Sequence, residues 1–262
     1  MRNIHFVFGK ALLFASVLMI LLSGCVSQKK IRYLQQADEK DTILMWQLKK
    51  QAEYRVRPND NLYVSIKSLS EKANEIFNQQ MGATEMTSDA SIYLNSYTVN
   101  QEGYIDFPVI GKVNVQDLTV EQIKDKLQLL VSDYLKETIV IVKLVNFNVT
   151  MLGEVQKPGE YKVYQDKITI FEGIAMAGDF TDFANRKQVA LIRVTEAGSE
   201  IHYLDLNSVT ILSSPYYYLR PNDVLYAAPL PVKQWGGATF PYGTVFAAIS
   251  TIILLLTFIN TF

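Results

Sequence analysis

After Lys233 no charged residue occurs through Phe262, the last position of the 262-residue sequence. A terminal run so free of charge is unusual in a soluble core, and it limits what the chain can fold into. Residues 245–259 are apolar except for Ser250, Thr251 and Thr257. With flanking residues, 242–260 makes about 28 Å of helix at ~1.5 Å per residue, enough for a thin bilayer. Trp235, Phe240 and Tyr242 precede the run, as interfacial aromatics precede a membrane segment. The sequence thus predicts a linker over 232–243 and a transmembrane helix over 244–260, with a buried globular helix as the alternative. On that helix Gly243, Ala247, Ser250, Leu254, Thr257 and Thr261 recur at spacings of four and three and form one stripe. All but Leu254 are small or polar, whereas Phe246, Ile252, Leu256 and Ile259 on other faces are large and apolar. The segregation predicts a stripe turned to a lumen or a neighbouring helix, with bulky residues toward lipid. A plain anchor with an accidental stripe is the alternative.

The opposite end is also biased. Residues 1–24 carry Arg2 and Lys10 and no acid, followed by an apolar run over 11–22 broken only by Ser16. That is a charged n-region and an h-region of secretory length. It ends in Leu22-Ser23-Gly24-Cys25, which matches the lipobox of bacterial lipoproteins. Small residues before the cut let the extended chain enter a signal peptidase, and the next thiol accepts diacylglycerol. Cys25 is the only cysteine, and it sits where the motif needs it. An uncleaved anchor with an incidental cysteine is the alternative. Residues 1–24 are therefore expected to be a signal peptide and 25–52 a lipidated, polar tether leading to the first domain.

Counting excludes several functions. Lys+Arg number 25 against 26 Asp+Glu, a net charge of −1 with no basic stripe, which argues against nucleic acid as a partner. One cysteine allows no internal disulfide framework and no multi-cysteine zinc site. The two histidines are His5 near the N-terminus and His202 alone in the body of the chain, so a His-rich metal centre or His–His acid/base pair is excluded. No metal or cofactor is expected. The sequence offers no G-x-S-x-G, H-E-x-x-H or phosphate-cradling P-loop, and no catalytic residue is assigned. Glu102, Asp106 and Glu154 are candidates for a glycosidase carboxylate pair, though near turns a solvated face is the commoner fate.

Between the ends, residues 54–63 (YRVRPNDNLY) echo residues 218–226 (YLRPNDVLY). Both read as strand, Pro-Asn-Asp turn, strand, with Asn suited to a positive φ. The copies are too far apart for a solenoid and mark comparable turns in two adjacent β-rich domains. Leu62, Val64 and Ile66 alternate, residues 139–145 form a nearly continuous apolar run expected to be buried, and Phe147, Val149 and Met151 alternate with polar neighbours. Thr119-x-x-Gln122 is a capping box opening a helix with Val120, Ile123, Leu127, Leu130 and Tyr134 on one face. Thr169-x-x-Glu172 opens another that stops at Gly178. Residues 67–96 are polar and predict a helix and a loop. Tyr216, Tyr217 and Tyr218 are read as packing residues rather than a sugar-stacking platform. The class is α+β.

Residues 54–66, then VNQEGYIDFPVIG over 99–111, then Leu118-Thr119 opening a helix, resemble the polysaccharide export domain of outer-membrane polysaccharide export lipoproteins (Wza-like). VTMLGEVQKPGEY over 149–161 and residues 169–179 resemble the soluble-ligand-binding β-grasp (SLBB) domain. Independent chemistry fits: Gly103 falls where a tight turn wants φ > 0, and Lys157-Pro158-Gly159 is a turn by composition. Asn59-Asp60 stands where the family usually has Gly-Asp, and only one β-grasp domain is evident. The resemblance implies an export domain over 53–146, a β-grasp domain over 147–231 and the C-terminal helix.

It further implies an outer-membrane conduit that exports capsular polysaccharide or exopolysaccharide. The chain would be lipid-anchored with its main domains in the periplasm, and it would form a ring-shaped homo-oligomer. An inner-membrane polysaccharide co-polymerase, often a tyrosine autokinase, would be its partner. Two other classes stay open: a periplasmic glycan-processing lipoprotein, and an inner-membrane binding module spanning twice.

Overall fold

The computed structural model describes residues 28–35, 53–69, 89–195, 198–233 and 242–261; Cys25 lies outside them. Two apolar cores organise the body of the chain. The first is built on strand β1 (Asn61–Ser68), flanked by β2 (Tyr97–Thr98) and β5 (Thr138–Leu144), both antiparallel to it. Leu62, Val64 and Ile66 are buried, so the alternation in the sequence translates directly into an inner face. A hairpin of β3 (Tyr104–Phe107) and β4 (Gly111–Asn114) adds Ile105, Phe107 and Val113 to this core. Gly103 precedes it at φ +82°, the left-handed backbone expected there.

Helix α2, after a short α1 (Gln28–Ile31), spans Asp89–Leu94, and α3 spans Val120–Ser132. The capping box of α3 is formed: Thr119 accepts from the Gln122 N–H while the Gln122 side chain accepts from the Thr119 N–H. Ile123, Leu127 and Val131 form its buried stripe. Tyr134, placed on that face by periodicity, lies past the helix end and is exposed, because the helix stops at Ser132 and the stripe closes on Val131.

The run over 139–145 corrects a second expectation. Only Val140 and Val142 are buried there, and Ile139 is 64% exposed, because β5 is the edge of its sheet and covers α3 with one face only.

The second core sits under a five-stranded mixed sheet in the order β10-β9-β12-β6-β7. These strands are β6 (Asn148–Gly153), β7 (Gly159–Lys162), β9 (Ala184–Thr195), β10 (Gly198–Leu204) and β12 (Asp223–Pro229). Only β12 and β6 run parallel. Beneath the sheet, β8 (Ile168–Thr169) leads into α4 (Ile170–Met176) and pairs with β11 (Tyr218–Leu219). The second capping box, Thr169 with Glu172, is also formed. Val149, Met151, Val189, Leu191 and Leu225 face α4 and the core. The register places Leu152, Val194, Ile201, Tyr203 and Tyr226 on the opposite face, where all five are exposed.

The chain is thus a mixed α/β protein with β-rich sheets, as the composition of strand and helix signals predicts. Helix α5 (Tyr242–Thr261) occupies the C-terminus. Among the described residues no helix is long and apolar enough to cross a membrane. The transmembrane assignment over 244–260 is therefore not established by the fold.

The tether differs from expectation in where it goes. Residues 28–35 dock on the second core rather than leading straight to the first. Leu34 N–H donates to the Leu206 carbonyl at 3.2 Å, and Gln35 bridges Ser208 in parallel. Tyr33 lies edge-on to Phe171, beside Phe180 and under the Arg186 guanidinium, and its hydroxyl donates to Asp179. Burial, reinforced by the Asp179 carboxylate, pushes the Tyr33 phenol above its ordinary range, so it stays neutral.

Candidate functional site

The echoed Arg-Pro-Asn-Asp segments fold into the same turn. Asn59 and Asn222 both take left-handed backbone, at φ 71° and 65°. In the first turn the Asp60 carboxylate accepts from the Arg57 N–H at 2.9 Å, and in the second Asp223 accepts from the Arg220 N–H at 2.7 Å. Each Asn N–H donates at 2.8 Å to a neighbouring strand or its approach, Asn59 to the Val99 carbonyl and Asn222 to the Asn148 carbonyl. A Pro with fixed φ, an Asn tolerant of positive φ and an Asp that turns back on the main chain are what this geometry needs.

The two turns meet at the junction of the domains. Arg57 reaches from the first turn to the Val194 carbonyl of the second sheet at 3.1 Å. Below them opens a cleft of about 480 Å³. The first domain contributes Tyr54, the N-terminus of α3 and the whole edge of β5 from Ile139 to Leu144; the second contributes Phe147, Tyr218, Leu219, Arg220 and Pro221. The β5 edge is partly closed already. Gln128 of α3 donates to the Thr138 carbonyl at 2.9 Å and accepts from the Val140 N–H at 3.0 Å, standing in for a neighbouring strand. The next outward-facing main-chain groups, of Val142 and Leu144, have no partner among the described residues.

Among the described residues, the charges that line the cleft are paired except at one point. Lys124 meets Glu121 at 2.8 Å, Lys143 meets Asp166 at 2.9 Å and Lys167 meets Glu53 at 3.9 Å, the last two pairs crossing between domains. Arg220 has no carboxylate partner of its own among the described residues, and its half-buried guanidinium leaves Nε without a hydrogen bond. Asp223, the nearest acid in the turn, is already bound by Arg193, whose Nε and Nη2 donate at 2.9 and 2.6 Å. Burial first, and then the neighbouring Arg193 cation, lower the Arg220 pKa from its ordinary value.

Asp60 and Tyr54 form the other polar group at the junction. The Tyr54 hydroxyl donates to Asp60 at 2.8 Å. Burial pushes the Asp60 carboxyl up, against the hydrogen bonds it accepts, and burial likewise pushes the Tyr54 phenol up.

The residues singled out in the sequence fall elsewhere. Gly243, Ala247, Ser250, Leu254, Thr257 and Thr261 all lie on α5. Ser250 and Thr257 bond back to carbonyls one turn earlier, Phe246 and Ile253, so both hydroxyls are satisfied within the helix. Glu154 is committed to structure: it accepts from Lys233 at 2.6 Å and from Thr181 at 2.7 Å. Glu102 and Asp106 are exposed on and beside the β3–β4 hairpin. His202 stacks on Tyr216 at 4.0 Å and meets Glu200, and Tyr217 packs against Phe171, in keeping with a packing role for the tyrosines. The cleft residues Arg220 and Tyr54 were visible in the sequence only as parts of the repeated turn. Nothing local marked them as neighbours.

Two small β-rich domains thus join on matching turns over a shared cleft. Comparison with protein families places them. Residues 48–145 match the polysaccharide biosynthesis/export protein family, and residues 148–204 match the SLBB domain. The chain thus carries an export domain followed by an SLBB domain, consistent with a Wza-like polysaccharide export protein. Both matched models describe export and binding modules rather than enzymes, and the protein's role lies in polysaccharide export.

Proposed function

We propose that the chain is the outer-membrane component of a polysaccharide export machine, a lipoprotein that assembles into a ring and conducts capsular polysaccharide or exopolysaccharide. The observation that carries this reading is the order of the matches: an export domain followed directly by an SLBB domain, between a lipobox and an apolar terminal helix. The signal peptide ends at Gly24, Cys25 carries the lipid, and the main domains occupy the periplasm. Docking of residues 28–35 on the second domain fits this arrangement, since the lipid end and α5 then both leave from the SLBB side.

Two uncovered surfaces support assembly. The outer face of the second sheet presents Val194, Ile201 and Tyr203, the last 65% exposed. Helix α5 presents Leu254 and Ile259, 70% and 72% exposed. A single helix encloses nothing, so a conduit needs rotational symmetry with heterologous contacts between copies. In this reading α5 lies in the membrane beside its copies, and the export domain, farthest from the lipid, meets an inner-membrane co-polymerase.

Deleting the gene and measuring cell-surface polysaccharide tests the function, with loss of surface polymer and rescue by the wild-type gene expected. Mass spectrometry of the membrane fraction is expected to show an acylated Cys25, and an intact Met1 would end the lipoprotein reading. In-membrane crosslinking is expected to give a ladder ending at one high-order species; monomer alone would remove the ring.

A further inference from the structure

We propose that the cleft between the two domains is a binding site for an acidic oligosaccharide segment, with a sugar carboxylate taken by the Arg220 guanidinium. The choice of a glycan rests on the polysaccharide-export reading; the choice of an acidic one rests on the cleft itself.

Three features of the cleft converge on that ligand. The lysines that line it are each matched by a carboxylate, and among the described residues Arg220 is the lining cation without a carboxylate of its own. A half-buried guanidinium with an unbonded Nε, whose natural partner Asp223 is saturated by Arg193, is a vacancy for an anion. The Arg220 pKa is lowered first by burial and then by the neighbouring Arg193 and Arg57 cations, so a carboxylate brought to this guanidinium would relieve a repulsion. Second, the edge of β5, unpaired at Val142 and Leu144 among the described residues, offers main-chain N–H and C=O groups, donor and acceptor together, as a row of sugar hydroxyls requires. Third, the half-buried Pro221 and Tyr218 give the opposite wall a small apolar surface for the C–H face of a pyranose, with Phe147 and Leu219 buried beneath it. A neutral extended peptide would use the strand edge but would leave the Arg220 cation without a specific role. An acidic saccharide uses all three features.

The test is calorimetric titration of the full chain in detergent micelles with hexagalacturonate, neutral maltohexaose of the same length, and inorganic phosphate. The acidic hexamer is expected to bind at least about tenfold more tightly than the neutral one, the scale of one charge-assisted contact. Arg220→Gln is expected to erase that preference, while Arg220→Lys keeps the charge, loses the fork and retains an intermediate preference. Circular dichroism and the thermal midpoint of each variant report its folding. Since Arg220→Lys preserves both the main-chain turn and the charge, it provides a second, independent reading. Equal binding of the two hexamers by the wild type, or an unchanged preference in folded Arg220→Gln, overturns the proposal. Phosphate binding as tightly as the hexamer overturns saccharide recognition and leaves an anion site. A strand-length peptide outcompeting the hexamer overturns it in favour of strand addition. These outcomes are separable from failure of the export reading: a deletion strain that loses surface polymer while the pure chain shows no acidic preference sinks only the cleft, and a deletion strain that exports normally sinks the export reading.

Discussion

Asp60 and Asp223 are counterparts in two copies of one turn, yet they are held by different chemistry. Each turns back on the main chain of the arginine three residues earlier, and each is almost fully buried. Asp223 faces the Arg193 guanidinium through two hydrogen bonds, with both side chains desolvated. Asp60 forms no ion pair of that kind among the described residues. It accepts from neutral donors, the Tyr54 hydroxyl and the Asn146 amide at 3.4 Å, besides the turn itself.

This difference predicts unequal mutants. Asp223→Asn strands a buried Arg193 and is expected to cost about 3–5 kcal/mol. Asp60→Asn keeps an acceptor for Tyr54 and the Arg57 N–H and is expected to cost about 1 kcal/mol or less at pH 7. The sign of the pH dependence follows from the raised folded pKa of Asp60: its favourable contribution is complete below the unfolded aspartate value and is lost as pH rises through the folded one. Asp60→Asn therefore compares worse with wild type at acid pH than at neutral pH. Thermal melts of both variants at pH 4 and pH 7 check the order and the trend; equal losses for the two would show that the Arg193 pair contributes nothing special.

Gly153 ends β6 at φ +83°, and a Cβ there would lie 2.1 Å from the Ala227 carbonyl oxygen of the parallel strand. Gly153→Ala combines a left-handed backbone with a main-chain collision and is expected to cost at least about 2–3 kcal/mol. Gly159→Ala, where nothing lies within 4 Å, is expected to stay within about 0.5 kcal/mol. Denaturation midpoints of the pair give the comparison, and indistinguishable midpoints would remove the close approach.

The Glu154–Lys233 contact ties the segment before α5 to the second domain, together with the Leu230 N–H to the Phe183 carbonyl at 2.7 Å. Burial opposes ionisation of Glu154, but hydrogen bonds from Lys233 and Thr181 outweigh it and hold the carboxyl below the ordinary glutamate range. With a depressed folded pKa, the stabilisation is present above the unfolded value and lost as pH falls through the folded one. The protection factors of the Leu230 and Lys233 amides, taken relative to the intrinsic exchange rate at each pH, are expected to fall as the solution is acidified, and Glu154→Gln is expected to show the lower protection already at pH 7. Protection independent of pH in the wild type would deny the tie.

On α5, single cysteines at Ser250 and Thr257 are expected to react with a water-soluble maleimide in intact membranes, whereas those at Ile252 and Leu256 are expected to be protected. Both hydroxyls bond within the helix, so neither substitution exposes an unpaired main-chain group that was previously capped. Protection at all four positions would leave the stripe as a helix contact or anchor, with the lumen elsewhere.

Much of this architecture was legible in the order of residues, because the signals involved are local. Thr119 with Gln122 and Thr169 with Glu172 are capping pairs three residues apart, and both close as expected. The Pro-Asn-Asp turns need only residues within four positions, and Asn59 and Asn222 take the predicted backbone. Alternation at Leu62, Val64 and Ile66 sets an inner face whatever lies beyond it. What failed was burial of the run over 139–145, since an edge strand and a central strand have similar composition and only neighbours distinguish them.

The sequence by itself thus determined the two capped helices, the repeated turn and the bias of the two ends, each set by spacing over a few residues and one backbone geometry. Tertiary structure alone decided that Tyr33 docks on the second core, that Glu154 serves Lys233, and that the two turns meet so that Arg220 faces a cleft edged by β5. Those relations join residues more than 70 positions apart, and the partners of a charge or an aromatic ring at that separation are set by packing of whole domains, which no local pattern encodes.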